Sequence, residues 1–284
     1  MTTAEASAPI SAPVFAPVFA PAKINLTLHV TGQRADGYHL LESLVVFADV
    51  GDRLWIAPAD TMSVEVSGPF ADGVPVDARN LVWQAAELAR SPCHIHLQKN
   101  LPHGAGIGGG SSDAAAVLRH FGIMRDAVRL GADVPVCLSM QPQRMQGIGE
   151  VVSPVAGMPC CDILLVNPRV TLSTPAVFSA LAVRDNPAMP QDFPGWPDAA
   201  ALAHWLATQR NDLLIPAMGL APAIGDVLQA IRGSDALYAG MSGSGSTCFG
   251  VFASGEKASV AKASIALKQP DWWIAQARFL AGDR

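Results

Sequence analysis

Residues 103–115 have the sequence HGAGIGGGSSDAA, in which five glycines fall within seven positions. Glycine adopts positive φ without strain and lets the backbone approach a ligand closely. The residues that follow predict a helix with Ser111 or Ser112 as its N-cap and Asp113 in its first turn. Backbone N–H groups that lead into a helix N-terminus form an anion cradle. The stretch therefore predicts a phosphate-binding loop, and the phosphates of a nucleotide fit it best.

Two other phosphate-binding patterns do not fit this stretch. The P-loop, GxxxxGK[ST], requires lysine where this chain has Gly110. The dinucleotide pattern GxGxxG is present, but it needs a strand before it and an acidic residue about 20 positions on. Residues 100–103 predict a turn, and position 129 is Arg129. A flexible turn is the remaining alternative, although the apolar Ala105 and Ile107 within the loop favour an ordered one.

Composition narrows the class of protein. The 284 residues are 50% hydrophobic and carry a net charge of −5, which predicts one large or two modest domains and argues against a nucleic-acid partner. No apolar run is long enough to predict a membrane span. The five cysteines are odd in number and two are adjacent, which argues against a disulfide framework and predicts a cytoplasmic protein.

The segment from Lys23 to Val30 alternates apolar and polar residues and predicts a half-buried strand. Its polar face carries Lys23, Asn25, Thr27 and His29. That face is either solvated or it projects Lys23 and Asn25 together into a site, and the pattern leaves both open.

Other segments predict a mixture of strands and helices, which indicates an α+β fold. Strands are predicted at 41–47, 53–56, 93–98 and 163–166, and helices at 80–90, at 112–121 and from 211 onward. Proline and glycine gather at 153–160 and favour a domain boundary there.

Three polar residues have structural as well as functional interpretations. His94 and His96 share one face of a predicted strand, but no third metal ligand is evident, so ordinary surface histidines are favoured. Asp133 is followed two positions later by Pro135, a pattern that suits a helix N-cap.

Three blocks in order resemble the GHMP kinases, the superfamily of galactokinase, homoserine kinase and mevalonate kinase. They are PAKINL at 21–26, the glycine–serine loop, and MSGSG at 241–245. RADGYH at 34–39, GADVP at 131–135 and GIGE at 147–150 resemble, within that superfamily, the family that phosphorylates a cytidine-diphosphate-linked methylerythritol in the non-mevalonate isoprenoid pathway. The resemblance runs from residue 21 to the C-terminus.

The resemblance implies an ATP-dependent kinase with Mg²⁺ as its metal, acting on a hydroxyl of the methylerythritol part of that small-molecule substrate. It also implies two α+β domains with the active site in the cleft between them. We expect a loose tail at 1–20, an N-terminal nucleotide-binding domain at 21–156 and a C-terminal α+β domain at 157–284.

The same resemblance implies roles for particular residues. Lys23 and Asp133 would be catalytic, with Asp133 as the base and Lys23 neutralising phosphate charge. Residues similar to the family's nucleotide contacts are Asn80, Leu81 and Lys99 at the adenine and Gly104, Gly106, Gly108, Gly109, Gly110, Ser111 and Ser112 at the phosphates. Residues similar to its acceptor contacts are Asn25, Tyr38, His39, Thr174, Pro175 and Phe178. The metal ligands are left open between Ser111, Ser112 and water.

The sequence leaves two alternatives open. The acceptor could differ within the superfamily, for example homoserine or mevalonate. The chain could also be a catalytically silent ligand-binding relative, because the connection between Ser112 and Gly131 is shorter than in typical relatives. The oligomeric state is not indicated by any pattern.

Overall fold

The first half of the chain builds one large mixed sheet in the computed structural model, which describes residues 16–280. Its strands are β1 (Val18–Asn25), β2 (His29–Gln33), β3 (His39–Pro58), β4 (Ser63–Ser67), β5 (Cys93–Gln98), β6 (Gln143–Gly147) and β7 (Val151–Pro154). The order is β4-β5-β3-β6-β7, and β1 and β2 both pair with β3. Only β4 and β5 are parallel among these pairs of the described residues.

The second half builds a smaller antiparallel sheet. Its strands are β8 (Asp162–Asn167), β9 (Tyr238–Met241), β10 (Cys248–Phe252) and β11 (Trp273–Arg278), in the order β11-β8-β10-β9. The four central residues of β8, at 163–166, are apolar, which suits a strand that pairs with β10 and β11 on both sides and has buried side chains there.

Helices cover both sheets. They are α1 (Leu81–Leu88), α2 (Gly109–His120), α3 (Val134–Cys137), α4 (Thr174–Ser179), α5 (Ala199–Leu206), α6 (Leu214–Leu220), α7 (Ala223–Arg232) and α8 (Gly255–Lys268), with a 3₁₀ turn at Ala127–Leu130. Helix α7 shows how the sequence specifies them, since Ile224, Val227, Leu228 and Ile231 recur at helical spacing and are all buried.

The two halves share part of their hydrophobic core. Ile24 and Leu44 of the first sheet belong to the same buried cluster as Ile163 and Phe249 of the second. Isolated β-bridges also join Leu28 to Asn211 and Ala48 to Phe279. The predicted α+β architecture is confirmed, and the boundary at 156/157, which falls between β7 and β8, stays a prediction.

Four local predictions are wrong. The strand predicted from Lys23 to Val30 is two strands, because β1 ends at Asn25 and β2 begins at His29. The two strands predicted at 41–47 and 53–56 are one, β3. The Gly-Asp pair at 51–52 has the residue types of a turn. The strand continues through it because β1 pairs with β3 on both sides of the pair.

The other two concern termini. The predicted tail at 1–20 ends earlier, because β1 starts at Val18; positions 1–15 lie outside the described residues. The N-cap of α2 is Gly108 with φ of 63°, not a serine, and the first helical hydrogen bond runs from the Ser112 N–H to the Gly108 carbonyl oxygen at 2.8 Å. Glycine is suited to this left-handed position, so Asp113 lies beyond the first turn.

Candidate active site

A cleft of about 1000 Å³ is lined from both halves of the chain. The first half contributes Lys23 and Asn25 of β1, the turn that precedes β3, the glycine loop and Asp133. The second half contributes the start of α4 and the small residues Gly243 and Ser244. Every block that carried the family resemblance from residue 21 to residue 245 thus has members at one cavity.

An ion pair lies in the wall of this cleft. The Nζ atom of Lys23 donates a hydrogen bond to Oδ2 of Asp133 at 2.8 Å. The lysine side chain is 3% exposed, whereas the carboxylate is 41% exposed and faces the cavity. Asp133 begins α3 but makes no capping hydrogen bond with its side chain. The predicted N-cap position of Asp133 is confirmed, but because its side chain makes no capping hydrogen bond, its carboxylate is available to a ligand.

The glycine loop presents backbone donors to the same space. Gly104, Gly106 and Gly108 all have positive φ, and they carry the chain into the N-terminus of α2. Helical bonding starts with the Ser112 N–H, so the N–H groups of Gly109, Gly110 and Ser111 have no partner within the helix. These donors and the helix dipole favour an anion at this end of the cleft.

Short contacts hold the glycine loop and strand β1 together. The Lys23 N–H donates to the Ile107 carbonyl oxygen at 2.9 Å, and a Cβ atom added to Gly108 would lie 3.1 Å from Cβ of Lys23. Ser242 joins the second small-residue loop to both, because its hydroxyl donates to the Gly106 carbonyl oxygen at 2.8 Å and accepts from the Asn25 N–H at 3.0 Å. These contacts fix the glycine loop against Lys23 and Asn25 of β1.

The other end of the cleft is aromatic. The rings of His39 and Phe178 stack with their centroids 4.8 Å apart and 24° between their planes. Burial, reinforced by the Arg184 guanidinium, lowers the pKa of His39, so its imidazole is neutral at pH 7. Tyr38 is 58% exposed beside them, and Arg184 lines the cavity without an ion-pair partner among residues 16–280. This end can accommodate a flat ring attached to an anionic group.

A buried ionic cluster lies against the glycine loop. Nζ of Lys99 donates to Oδ2 of Asp52 and, at 2.7 Å, to Oδ2 of Asp113. All three side chains are buried. Burial raises the pKa of Asp113 to about 8; the Lys99 ammonium opposes this shift and the Asp52 carboxylate adds to it.

Comparison with known proteins identifies the family. The model for the GHMP kinases N terminal domain matches residues 80–138, and the model for the GHMP kinases C terminal domain matches residues 193–269. A 4-diphosphocytidyl-2-C-methyl-D-erythritol kinase of Paracoccus denitrificans is 55% identical over 255 residues, covering 89% of this chain and 93% of its own length. The enzyme of the same name from Ruegeria pomeroyi is 53% identical over 271 residues, covering 91% and 97%.

A solved structure agrees with these relatives. The crystal structure of a 4-(cytidine 5'-diphospho)-2C-methyl-D-erythritol kinase superposes with a TM-score of 0.72 at 31% identity, covering 94% of this chain and all of the other. The chain belongs to the 4-diphosphocytidyl-2-C-methyl-D-erythritol kinase family of the GHMP kinases. The resemblance predicted from the motifs is thereby confirmed, together with the prediction of a small-molecule kinase.

Sixteen of the eighteen residues that the GHMP kinase resemblance implied line the cleft. Asn80 does not, because its side chain caps α1: Oδ1 accepts from the Val82 N–H at 3.1 Å, and Nδ2 donates to the Pro75 carbonyl oxygen at 2.7 Å. Ser112 is fully buried within α2. Lys99 reaches the cleft wall, but its ammonium is held by Asp52 and Asp113.

The structure decides between the two interpretations of the polar residues in the segment from Lys23 to Val30, which were solvation or projection into a site. Lys23 and Asn25 both line the cleft, so the solvated interpretation of that face is wrong. Thr27 and His29 are buried as well, at 1% and 2% exposure. The face is covered because the second half of the chain packs on it, as in the hydrogen bond from Thr27 Oγ1 to Met189 Sδ.

Sequence patterns missed several residues of the site. Asp52 had no signal, because it stands between Gly51 and Arg53 in the predicted interruption between two strands, and nothing pointed to Lys99 as its partner. Arg184 had none, because only tertiary contacts bring it to the cleft. Ser242 belongs to the MSGSG block, but its contact with Gly106 of the glycine loop was not predicted. His94 and His96 bond to Ser63 and Ser67, at 2.9 and 2.8 Å, on the outer part of the large sheet.

Among residues 16–280, no helix combines the length and apolar character needed to cross a bilayer. Within the same range, no three or more His, Cys, Asp or Glu side chains are grouped as they would be around a metal ion.

Proposed function

We propose that this chain transfers the terminal phosphoryl group of ATP to a hydroxyl of 4-diphosphocytidyl-2-C-methyl-D-erythritol. One observation carries the proposal: the exposed carboxylate of Asp133, bonded to Lys23 at 2.8 Å, shares its cleft with the free N–H groups of the α2 N-terminus. A proton acceptor, a cation and an anion cradle in one cavity are the parts that phosphoryl transfer to an alcohol requires. The acceptor in this proposal is the compound that the names of the relatives specify.

The glycine loop fits ATP phosphates. The N–H groups of Gly109, Gly110 and Ser111 would donate to phosphate oxygens, and the positive end of the α2 dipole favours their charge. Side chains are excluded from this surface, since a Cβ atom at Gly108 would crowd Lys23 at 3.1 Å. Leu81, which also lines the cleft, offers an apolar contact to the adenine ring.

The donor set suits a magnesium ion that arrives with the nucleotide. Asp133 and Ser111 line the cleft, and Mg²⁺ in kinases is commonly held by one or two such protein oxygens, phosphates and water. Ser112, the next residue, is fully buried. When bound, the ion would neutralise phosphate charge beside Lys23.

The chain's own residues account for the transfer step. Asp133 accepts the proton of the acceptor hydroxyl as its oxygen forms a bond to the γ-phosphorus, and the bond from that phosphorus to the β–γ bridging oxygen breaks, releasing ADP. Lys23, bound to Asp133 and to the loop through Ile107, holds the carboxylate and neutralises charge on the moving phosphoryl group. Asn25, two positions along β1, lines the cleft where it can orient the alcohol.

The aromatic end would hold the cytidine diphosphate portion. Tyr38 and Phe178 offer faces for a pyrimidine, and the neutral imidazole of His39 can bond to its edge. Thr174 and Pro175 begin α4 beside them, with the Thr174 hydroxyl 2.7 Å from that of Ser244. The Arg184 guanidinium, which donates a hydrogen bond to the neutral Gln33 side chain at 3.4 Å, would attract the diphosphate.

A coupled assay for ADP release tests the proposal. With ATP and magnesium present, we expect ADP only when 4-diphosphocytidyl-2-C-methyl-D-erythritol is added, and we expect cytidine diphosphate to compete with that acceptor. Release with homoserine or mevalonate instead would assign another acceptor. Nucleotide binding without acceptor-dependent ADP would identify a silent relative and contradict the proposal.

We also infer that the reaction takes place in the cytoplasm. The five cysteines are all free thiols, and four of them are buried. A reducing compartment suits such a set.

A further inference from the structure

A long segment outside the helices and strands reaches the aromatic end of the cleft. It connects α4 to α5 at residues 180–198, and four of its members are prolines. Arg184, which lines the cleft, belongs to this segment and is exposed. Fixing a backbone that has no regular hydrogen-bond ladder costs conformational entropy. The position of the Arg184 guanidinium therefore depends on the contacts that hold this segment to the rest of the fold.

Two side chains of the large sheet hold the segment by its backbone. Oε2 of Glu42, in β3, accepts a hydrogen bond from the Met189 N–H at 2.8 Å. Nη1 of Arg144, in β6, donates to the carbonyl oxygens of Pro190 and Gln191 at 2.9 and 2.8 Å. Nη2 of Arg144 donates to the Met189 carbonyl oxygen at 3.3 Å. These bonds fix three consecutive residues of the segment.

The same two side chains bind each other. Nη2 of Arg144 lies 2.8 Å from Oε2 of Glu42, and the side chains are 10% and 14% exposed. Burial raises the pKa of Glu42, but hydrogen bonds from its neighbours, Arg144 among them, outweigh this effect and the net shift is downward, so the carboxylate is ionised. Hydrogen bonds made by charged groups are stronger than neutral ones. The pair, here named the Glu42–Arg144 anchor, is therefore a strong attachment point for the segment.

Further contacts run from the anchor towards Arg184. Asn186 lies between Met189 and Arg184 in the chain, and its backbone N–H and its Nδ2 both donate to the Val30 carbonyl oxygen, at 3.1 and 3.2 Å. Nη1 of Arg184 donates to Oε1 of Gln33 at 3.4 Å. Val30 and Gln33 both belong to β2. Residues 184–191 thus follow β2, and the anchor holds the end of this stretch that lies away from the cleft.

Stability alone does not account for the anchor. Taking a carboxylate and a guanidinium out of water is costly, and apolar replacements of buried ion pairs are often equally stable. Neither Glu42 nor Arg144 lines the cleft. Their bonds to backbone groups at 189–191 are all directed at the segment that carries Arg184. A role in placing that segment explains why these polar groups are buried where they are.

We propose that Glu42 and Arg144 are positioning residues for the acceptor: they fix residues 184–191 along β2 and so hold the Arg184 guanidinium where a diphosphate would bind. The inference rests on the proposed cytidine-diphosphate-linked acceptor. Without the anchor, binding of the acceptor would have to order the segment, and that entropy cost would weaken its affinity. The glycine loop is no part of the anchor, so nucleotide binding should not depend on it.

A variant without net change in charge tests the proposal. Glu42→Gln/Arg144→Met removes the ion pair and the Arg144 bonds to residues 189–191 without leaving a buried unpaired charge. We expect the KM for 4-diphosphocytidyl-2-C-methyl-D-erythritol to rise about fivefold, while the KM for ATP changes less than about twofold. Asp162→Asn/Arg278→Met is the matched control, because it removes an ion pair of the second sheet and should leave both KM values as in the wild type.

The dependence on Arg184 separates positioning from a general loss of stability. If the anchor acts through that guanidinium, Glu42→Gln/Arg144→Met should have little effect once Arg184→Gln is present. We expect the combined variant to raise the acceptor KM less than about twofold above that of Arg184→Gln alone. A merely structural role predicts that the two effects multiply.

Trypsin gives a second measurement, which needs no turnover. The bond after Arg184 should be cut about tenfold faster in Glu42→Gln/Arg144→Met than in the wild type or the control, because cleavage follows the population of the opened segment. Mass spectrometry identifies the cut, and thermal unfolding checks the fold of each protein. If the double variant does not fold, Glu42→Gln alone takes its place in both experiments, with an expected rise of about twofold in the acceptor KM and in the cleavage rate.

Three results would overturn the role of the anchor: an acceptor KM equal to that of the wild type, effects that multiply with that of Arg184→Gln, or unchanged cleavage after Arg184. A wild-type chain without acceptor-dependent ADP release instead contradicts the proposed function. In that case the rate of cleavage after Arg184 still decides whether the anchor holds the segment.

Discussion

The Nζ atom of Lys23 lies 2.8 Å from Oδ2 of Asp133, although 110 positions separate the two residues. The lysine comes from β1 and the aspartate from the start of α3, and α2 packs against both elements. The pair therefore depends on the same helix that presents the phosphate-binding N–H groups. This arrangement couples the proposed base to the proposed nucleotide site.

Replacing the base should separate chemistry from binding. Asp133→Asn keeps the size of the side chain but removes the proton acceptor, so we expect kcat to fall by roughly 100- to 1000-fold. The Kd for ATP should change less than about twofold, because the phosphates are held by backbone groups. Steady-state turnover and calorimetry measure the two quantities, with Asp162→Asn as the control. Turnover within about threefold of the wild type would exclude Asp133 as the base.

Crowding the glycine loop should weaken nucleotide binding. In Gly108→Ala, a Cβ atom meets Lys23 at 3.1 Å and the residue must hold φ at 63°. We expect the KM for ATP to rise about tenfold, equivalent to about 1.4 kcal/mol. Gly73→Ala is a matched control, since φ is 80° there but no atom lies within 4 Å of the added Cβ. Equal KM values for the two variants would contradict the role assigned to Gly108.

Sequence patterns and the family resemblance predicted which residues line the cleft better than they predicted the contacts between those residues. The glycine loop is evident because its signal is local: glycines at positive φ followed by a helix. Lys23 and Asp133 were found through family resemblance, and their direct contact was not predicted. Asp52, Lys99 and Asp113 form one cluster across 61 positions of chain, and no periodicity reports such a contact.

The errors in secondary structure have the same physical origin. Local signals at 51–52 predict an interruption of β3, but pairing with β1 on both sides keeps the strand extended. Serine is a common N-cap, yet α2 begins after Gly108 because the loop there needs a left-handed residue packed against Lys23. In both places a long-range partner outweighs a local preference.

Arg184 should contribute to recognition of the acceptor. It lines the aromatic end of the cleft without an ion-pair partner among residues 16–280, so Arg184→Gln removes a cation from the proposed diphosphate site. We expect the KM for the acceptor to rise about fivefold, or about 1 kcal/mol, with the KM for ATP unchanged. The difference should shrink as salt is added, because exposed charges are screened. Arg53→Gln, an exposed arginine of β3, is the control, and identical acceptor KM values at low salt would contradict the assignment.

His29 should make the fold sensitive to mild acid. Burial, reinforced by the Arg210 guanidinium, lowers the pKa of His29 from 6.5 to about 4, so the folded chain binds fewer protons than the unfolded chain between those values. Stability is therefore fully present above pH 6.5 and is lost as the pH falls towards 4, by about 2 kcal/mol at pH 5 from this group. His29→Gln should remove that part of the pH dependence, measured as the difference in urea unfolding free energy between pH 7 and pH 5. The exposed His204, changed to Gln, should leave the difference as it is in the wild type. If His29→Gln loses as much stability between the two pH values as the wild type does, protonation of this side chain does not limit the acid stability of the fold.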